Sequence, residues 1–146
     1  MGLFVACMVL AALVLGAVIG GIVLAWRRGR VLTSPAMDEV VEPHRLGAEA
    51  LGESATLLQF STRSCTRCPG VHRVLADVAR DRSGVLHLDV DVTHRPDIAR
   101  HFRVMQTPTT LVLDRHGMVQ TRFGGTPGRS VVELELARLT AQAHAE

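Results

Sequence analysis

The longest run of apolar residues lies at the N-terminal end of the chain. Residues 3–26 contain no charged side chain and are rich in Leu, Val and Ala. Because a helix of about 20 apolar residues crosses the hydrocarbon core of a bilayer, this run predicts a transmembrane helix. A buried core helix would show a polar face. A cleaved signal peptide would place positive charge before the run, whereas the arginines here follow it. We therefore expect an uncleaved membrane anchor.

The pattern changes after this run. Residues 27–45 have no sustained apolar period and contain arginine, acidic residues and proline. That composition is typical of a tether, with a short strand near Val40 and Val41. Over residues 46–146 the apolar positions follow strand-like and helix-like periods in turn. We expect this part to form one α/β domain.

The elements of that domain follow from apolar periods near two for strands and near 3.6 for helices. A helix between the first two strands predicts that they are parallel, and a turn between the last two predicts a hairpin. The pattern predicts, in order, a short helix at Leu46–Gly52, a strand at Thr56–Phe60, a helix from Ser64 or Cys65 to Arg80, a strand at Val85–Asp91, a helix at Asp97–Arg103, strands at Thr109–Leu113 and Met118–Phe123, and a helix from Gly128 to Ala143.

Apolar spacing also predicts which face of each later helix is buried. Ile98 and Phe102 are four residues apart, so they should face inward together. In the last helix the expected apolar stripe consists of Val131, Val132, Leu134, Leu136 and Leu139.

Two cysteines stand where the first strand of the domain gives way to a helix. Cys65 and Cys68 are three residues apart, so on a helix they would share a face and could close a disulfide or hold one metal ion. A helix N-terminus favours a thiolate over a thiol, and Arg63 and Arg67 add positive charge. The sequence thus predicts a nucleophilic sulfur with a second sulfur in reach to resolve a mixed disulfide.

Composition narrows the possible functions. The net charge is only +2, and the basic residues are scattered arginines without aromatic platforms, which argues against nucleic-acid binding. Of three cysteines, Cys7 lies in the apolar run, where a small apolar role is expected. The remaining pair suits a redox or a metal site. The spacing of His72 permits a third metal ligand, although no second cysteine pair completes a structural zinc site. A polar residue on the helix is the plainer interpretation of His72, and an inert pair of thiols is the third alternative for the cysteines.

The order of elements and two motifs resemble one known family. Cys65-Thr66-Arg67-Cys68 after a strand, and Thr107-Pro108-Thr109 about forty residues later, are similar to the redox motif and the cis-proline segment of thioredoxins. The resemblance covers residues 46–143. It implies an α/β, thioredoxin-like fold with a central mixed β-sheet flanked by helices, preceded here by the single transmembrane helix.

The resemblance also implies an activity, which is thiol–disulfide exchange with protein thiols and disulfides, without a cofactor or a metal. Cys65 would attack and Cys68 would resolve, while Thr107 and Pro108 would position the partner chain. An upstream redox partner, a reductase or a quinone-linked protein, is implied without being identified. The alternatives are a metal-binding protein and a non-catalytic thioredoxin-like adaptor.

Four further residues are candidates for proton handling or for tuning the pKa of the cysteines. Gln59 takes the place of the buried acid of thioredoxins, and His87 falls where thioredoxins often carry a lysine. Arg63 and Arg67 flank the first cysteine. A histidine on a partly exposed strand is the plainer interpretation of His87.

The charges beside the apolar run predict the orientation of the domain. Arg27, Arg28 and Arg30 follow the run, and no Lys or Arg precedes it. The positive-inside rule therefore predicts a single-pass protein of the cell membrane whose domain faces the cytoplasm. Membrane-tethered thioredoxin-like proteins of bacteria often face outward, so an extracytoplasmic domain is the alternative.

Overall fold

The computed structural model describes residues 2–27, 31–32 and 37–143. The described part alternates strands and helices after one long N-terminal helix. In chain order the elements are α1 (Gly2–Arg27), β1 (Val31–Leu32), β2 (Met37–Val40), a 3₁₀ turn (Pro43–Leu46), β3 (Ala55–Ser61), α2 (Cys68–Arg80), β4 (Val85–Asp91), α3 (Pro96–His101), β5 (Thr109–Asp114), β6 (Met118–Gly124) and α4 (Arg129–Ala143).

The strands form one mixed sheet in the order β1-β6-β5-β3-β4, and β2 also pairs with β6. β3 is central, since it runs parallel to β4 and antiparallel to β5. β5 and β6 form the expected antiparallel hairpin. The predicted mixed sheet and its four main strands are therefore confirmed. β1 and β2 lie within the segment interpreted as a tether and extend the sheet beyond β6.

Both faces of the sheet are covered, which explains why β3 is buried from Ala55 to Phe60. One face packs against α2 and α4, and the other packs against α3. Phe60 and Phe102 meet across that second face with ring centroids 5.2 Å apart. Burial of each large apolar side chain contributes about 1.5–3 kcal/mol, so the two layers hold the carboxyl end of β3 in place.

The predicted helix at Leu46–Gly52 is wrong. The structure has a 3₁₀ turn that begins at Pro43 and ends before Gly47, whose φ of +77° is left-handed. Gly52 lies so close to neighbouring backbone that a Cβ there would meet the carbonyl oxygen of Ala55 at 2.1 Å. These backbone requirements outweigh the weak helical period of the segment.

The predictions for α3 and α4 differ less from the structure. Ile98 and Phe102 are both buried, as expected, although α3 itself ends at His101. In α4 the buried residues are Val132, Leu136 and Leu139, whereas Val131 and Leu134 are 40% and 72% exposed. Five apolar residues within nine positions cannot all share one stripe of a helix with 3.6 residues per turn.

α1 coincides with the predicted membrane span. Its side chains are described at residues 2, 5 and 7–21, and the large apolar ones from Val5 to Ile19 are 51–73% exposed. Within the described residues, no helix combines the length and the apolar character that a membrane crossing requires. The transmembrane helix over residues 3–26 therefore stays a prediction. Arg28 and Arg30, part of the predicted orientation signal, lie outside the described residues.

Candidate active site

The two cysteines lie between the carboxyl end of β3 and the start of α2. They form a disulfide with Cα atoms 5.5 Å apart. Cys68 is the first residue of α2 and is only 4% exposed. Cys65 lies in the preceding turn, where its N–H donates to the carbonyl oxygen of Thr62 at 3.1 Å, and it is half-buried. A helix beginning at Ser64 or Cys65 was therefore a wrong prediction.

This placement puts Cys65 in front of the helix rather than on its face. The backbone N–H of Cys68 donates to Sγ of Cys65 at 3.2 Å. The first N–H groups of a helix have no partner within the helix and carry partial positive charge. After reduction, the same N–H group and the helix dipole would favour a thiolate at Cys65.

Arg63 and Arg67 both lie at the surface beside the disulfide. Nε of Arg63 is 3.8 Å from Asp91, and its backbone N–H donates to Oγ1 of Thr93 at 3.0 Å. Thr93 in turn donates to Asp91, and this hydrogen bond is the main cause that lowers the pKa of the Asp91 carboxyl. Arg67 is exposed and directly precedes α2. The effect of Arg63 and Arg67 on the cysteines stays a prediction.

The Thr107–Pro108 loop lies next to the segment that leads into Cys65. The peptide bond between Thr107 and Pro108 is cis, which confirms the expected cis-proline. The hydroxyls of Thr62 and Thr107 are 3.2 Å apart. The carbonyl oxygen of Pro108 accepts a hydrogen bond from the N–H of Gly125 at 2.8 Å. Side-chain and backbone contacts therefore hold this loop at the carboxyl end of β3.

Gln59 lies directly below the second cysteine, where the resemblance to thioredoxins places it. Its side chain is fully buried. Its Nε2 donates to the carbonyl oxygen of Cys68 at 3.1 Å. Because that nitrogen is the donor, Oε1 of Gln59 is the acceptor for Nε2 of His87 at 3.2 Å. Gln59 therefore links the start of α2 to β4 and, as an amide, does not exchange a proton itself.

His87 is a neutral donor in this arrangement. Burial first, and the nearby His72 second, lower its pKa from 6.5 to about 4, while Asp89 acts in the opposite direction. At neutral pH the ring is therefore uncharged. The structure brings His87 to the site, but its pKa is too low for the ring to take up a second proton at neutral pH.

A second group of polar residues lies beside this one and was missed from the sequence. Nδ1 of His72 is 3.0 Å from Oδ2 of Asp89, and the hydroxyl of Ser61 donates to Oδ1 of Asp89 at 2.6 Å. The rings of His72 and His87 meet edge to face with centroids 4.7 Å apart. The available signals were the four-residue spacing from Cys68 to His72 and the shared strand face of His87 and Asp89.

An open groove of about 690 Å³ runs past the disulfide. Both cysteines line it, together with Ser61, Arg63, His72 and Asp89. Among the described residues, no group of three or more His, Cys, Asp or Glu side chains is arranged to hold a metal ion. Cys65 and Cys68 are joined as a disulfide in this structure.

Comparisons with known proteins identify relatives of this chain. No protein-family model matches the chain. The chain is 32% identical over 93 residues to a thioredoxin of Mycolicibacterium smegmatis, across 61% of this chain and 82% of the relative. It is 34% identical over 84 residues to a thioredoxin of Mycobacterium tuberculosis, across 56% of this chain and 70% of the relative.

Solved structures agree on the fold. Thioredoxin-2, described as a component of malaria parasite protein secretion machinery, superposes with a TM-score of 0.52 at 19% identity, over 58% of this chain and 82% of that one. A thioredoxin from Nicotiana alata gives a TM-score of 0.51 at 22% identity, over 59% and 73%. Together with the identity to the bacterial relatives, this shows that the chain belongs to the thioredoxin family and is a thioredoxin-type disulfide oxidoreductase.

Proposed function

We propose that the chain is a membrane-tethered thiol–disulfide oxidoreductase that exchanges disulfides with protein partners through Cys65 and Cys68. The observation that carries the proposal is the unequal placement of the two sulfurs. Cys65 is half-buried at the edge of an open groove, in front of the helix N-terminus, whereas Cys68 is buried as the first residue of α2. One sulfur is therefore accessible to a partner and the other is held behind it.

The two sulfurs support a two-step exchange. The Cys65 thiolate attacks a partner disulfide, forms a mixed disulfide and releases one partner sulfur as a thiolate. Cys68 then attacks Sγ of Cys65, which forms the Cys65–Cys68 disulfide and releases the second partner thiolate. The partner disulfide gains two electrons and the cysteine pair loses two. The reverse sequence oxidises a partner dithiol, and the reduction potential of the pair decides the direction.

The loop at Thr107 and Pro108 is proposed to position the partner. It lies beside the segment that leads into Cys65, through the contact between the Thr62 and Thr107 hydroxyls. An extended partner chain on this loop would bring its disulfide to Cys65. The pKa values of the two cysteines would be tuned from below and from the rim of the groove by Gln59, Arg63, Arg67 and His87.

The membrane tether is the second part of the proposal. Residues 3–26 carry no charge, and the described large apolar side chains of α1 are exposed, so a bilayer is a fitting surrounding for them. Arginines after the run favour a domain that faces the cytoplasm. There the default role is that of a reductant, recharged by an upstream reductase or quinone-linked protein.

Trapping of mixed disulfides tests the exchange. In Cys68→Ser the first step still occurs but nothing resolves it, so covalent complexes with partner proteins should accumulate. Cys65→Ser should trap few or none, because the buried Cys68 sulfur is screened from partners. The measurement is non-reducing electrophoresis of membranes from cells that express each full-length variant.

The matched control is the double variant Cys65→Ser with Cys68→Ser, which should form no complexes. Equal trapping by the two single variants, or trapping by neither, would contradict a two-step exchange that begins at Cys65.

A further inference from the structure

We propose that His72, oriented by Asp89, accepts the proton of Cys68 in the resolving step. This inference rests on the proposed exchange and assigns a residue to its second half. Cys68 must lose a proton before it attacks. The residue below it, Gln59, is an amide and does not take that proton. The resolving cysteine therefore needs another acceptor.

The contacts of His72 prepare one ring nitrogen for this role. Asp89 accepts at Nδ1, 3.0 Å away, and is itself held by the Ser61 hydroxyl at 2.6 Å. A carboxylate at Nδ1 places the proton of a neutral imidazole on that nitrogen. Nε2 is then left with a free lone pair.

The position of His72 on α2 brings it to the reacting sulfur. Cys68 and His72 are one helical turn apart, and side chains at this spacing share a face with Cβ atoms about 5–6 Å apart. Both residues line the same open groove. The proposed transfer runs from Sγ of Cys68 to Nε2 of His72, directly or through one water molecule.

The other titratable groups around His72 fit the role less well. His87 faces it from β4, but burial lowers the pKa of His87 to about 4 and its Nε2 is engaged with Gln59. Asp89, also from β4, is already bound to Ser61 and His72. Arg63 from the loop after β3 and Arg73 on α2 also line the groove, and a guanidinium group has no acceptor atom for the proton.

The resolving step moves one proton and one electron pair. In the mixed disulfide, Sγ of Cys65 is bonded to a partner sulfur. Nε2 of His72 takes the proton from Sγ of Cys68, and the Cys68 thiolate attacks Sγ of Cys65. The Cys65–Cys68 bond forms, the bond from Cys65 to the partner breaks, and its electron pair leaves with the partner thiolate. The imidazolium of His72 then returns its proton to that thiolate or to solvent.

A two-phase reaction separates this step from the first. The reduced full-length chain carries Cys7→Ser in every variant, because Cys7 is a free, exposed cysteine, and it is mixed with an aromatic disulfide that releases a coloured thiolate. The fast phase reports attack by Cys65, and the slow phase reports resolution by Cys68. In His72→Asn we expect the slow phase to be about tenfold slower at neutral pH, or more, with the fast phase within about twofold of wild type. An unchanged fast phase also shows that the variant is folded.

Three further measurements distinguish proton transfer from packing. Asp89→Asn should slow the same phase, because the ring loses its orienting carboxylate. Added imidazole should restore the slow phase of His72→Ala, and the rise of the slow phase with pH should move to higher pH in both His72 variants. His44→Asn, at an exposed histidine on the 3₁₀ turn, is the matched control and should behave like wild type.

A slow phase that is unchanged in His72→Asn, or fast and slow phases reduced by the same factor, would overturn the role of His72. Failure of imidazole to restore the slow phase of His72→Ala would also overturn it. Absence of the fast phase in the wild type would instead contradict the proposed exchange itself, so the two failures are distinguishable.

Discussion

At the scale of single residues, the site differs from a simple pair of thiols because each sulfur has its own surroundings. Cys65 accepts the N–H of Cys68, and the carbonyl oxygen of Cys68 accepts the amide of Gln59. The backbone of Cys68 thus connects the half-buried Cys65 to the buried polar residues below it. His87 completes this connection as a donor to Gln59. The protonation state of His87 therefore depends on the folded site.

The low pKa of His87 predicts a pH dependence of stability. Its pKa is 6.5 in an exposed reference and about 4 in the fold, so between these values the unfolded chain binds more protons than the folded one. The free energy of unfolding should therefore fall as the pH decreases from about 6.5 to about 4. Because the ring is partly exposed, we expect His87 to contribute only about 1 kcal/mol to this fall.

Urea denaturation of the full-length chain across this pH range measures the effect. His87→Gln keeps an N–H donor for Gln59 but does not titrate, so it should flatten the pH dependence by about that 1 kcal/mol. His44→Gln should leave the dependence as in wild type. Identical curves for wild type and His87→Gln would show that His87 does not have the lowered pKa.

At the scale of elements, the position of the site follows from how β3 and its helices are packed. β3 is buried on both faces, and α2 and α4 cover one of them. The start of α2, where Cys68 lies, is thereby fixed against the end of β3. Only one side of α4 packs against the sheet, since Leu136 is fully buried and Leu134 is 72% exposed.

A pair of substitutions on α4 tests this packing. Leu136→Ala should reduce the free energy of unfolding by about 2–5 kcal/mol, because it leaves a cavity in the core. Leu134→Ala changes the same residue type on the same helix, and we expect a change within about 0.5 kcal/mol. Urea denaturation of both variants measures the difference. Equal effects of the two substitutions would contradict the assigned face of α4.

At the scale of the whole molecule, two short strands that follow α1 belong to the sheet of the domain. β1 and β2 pair with β6 and thus connect residues between α1 and the domain to the edge beyond the hairpin. A proposed anchor in residues 3–26 would therefore be followed by a short connection to the domain. Its length limits how far the disulfide can lie from a membrane surface.

Reporter fusions test the proposed orientation. We expect a green fluorescent protein fused after Glu146 to be fluorescent and alkaline phosphatase at the same place to be inactive, because the phosphatase folds only where disulfides form. Both fusions should remain with the membranes after alkaline extraction. Strong phosphatase activity without fluorescence would reverse the orientation and leave the exchange chemistry intact. Release of the fusions into the soluble fraction would contradict the anchor.

Local pattern alone determined the main strands of the sheet, the inward placement of Ile98 and Phe102, and the CxxC pair at a strand–helix junction. These features depend on periodicity and on residues close in sequence, so they are readable from one chain. The cis-proline and the place of Gln59 came from the resemblance to thioredoxins, because no local rule distinguishes Pro108 from an ordinary trans proline.

Tertiary structure alone decided the features that depend on contacts between distant segments. Ser61, His72 and Asp89 come from β3, α2 and β4, and nothing in their spacing along the chain shows that they meet. The edge strand β1 has only two residues, too few to show a period, and exists through its pairing with β6. Likewise, α2 begins at Cys68 rather than Cys65 because the turn after β3 takes up the residues before it. In each case the free energy that selects the structure comes from packing and hydrogen bonds between elements, and a single-chain pattern contains no record of them.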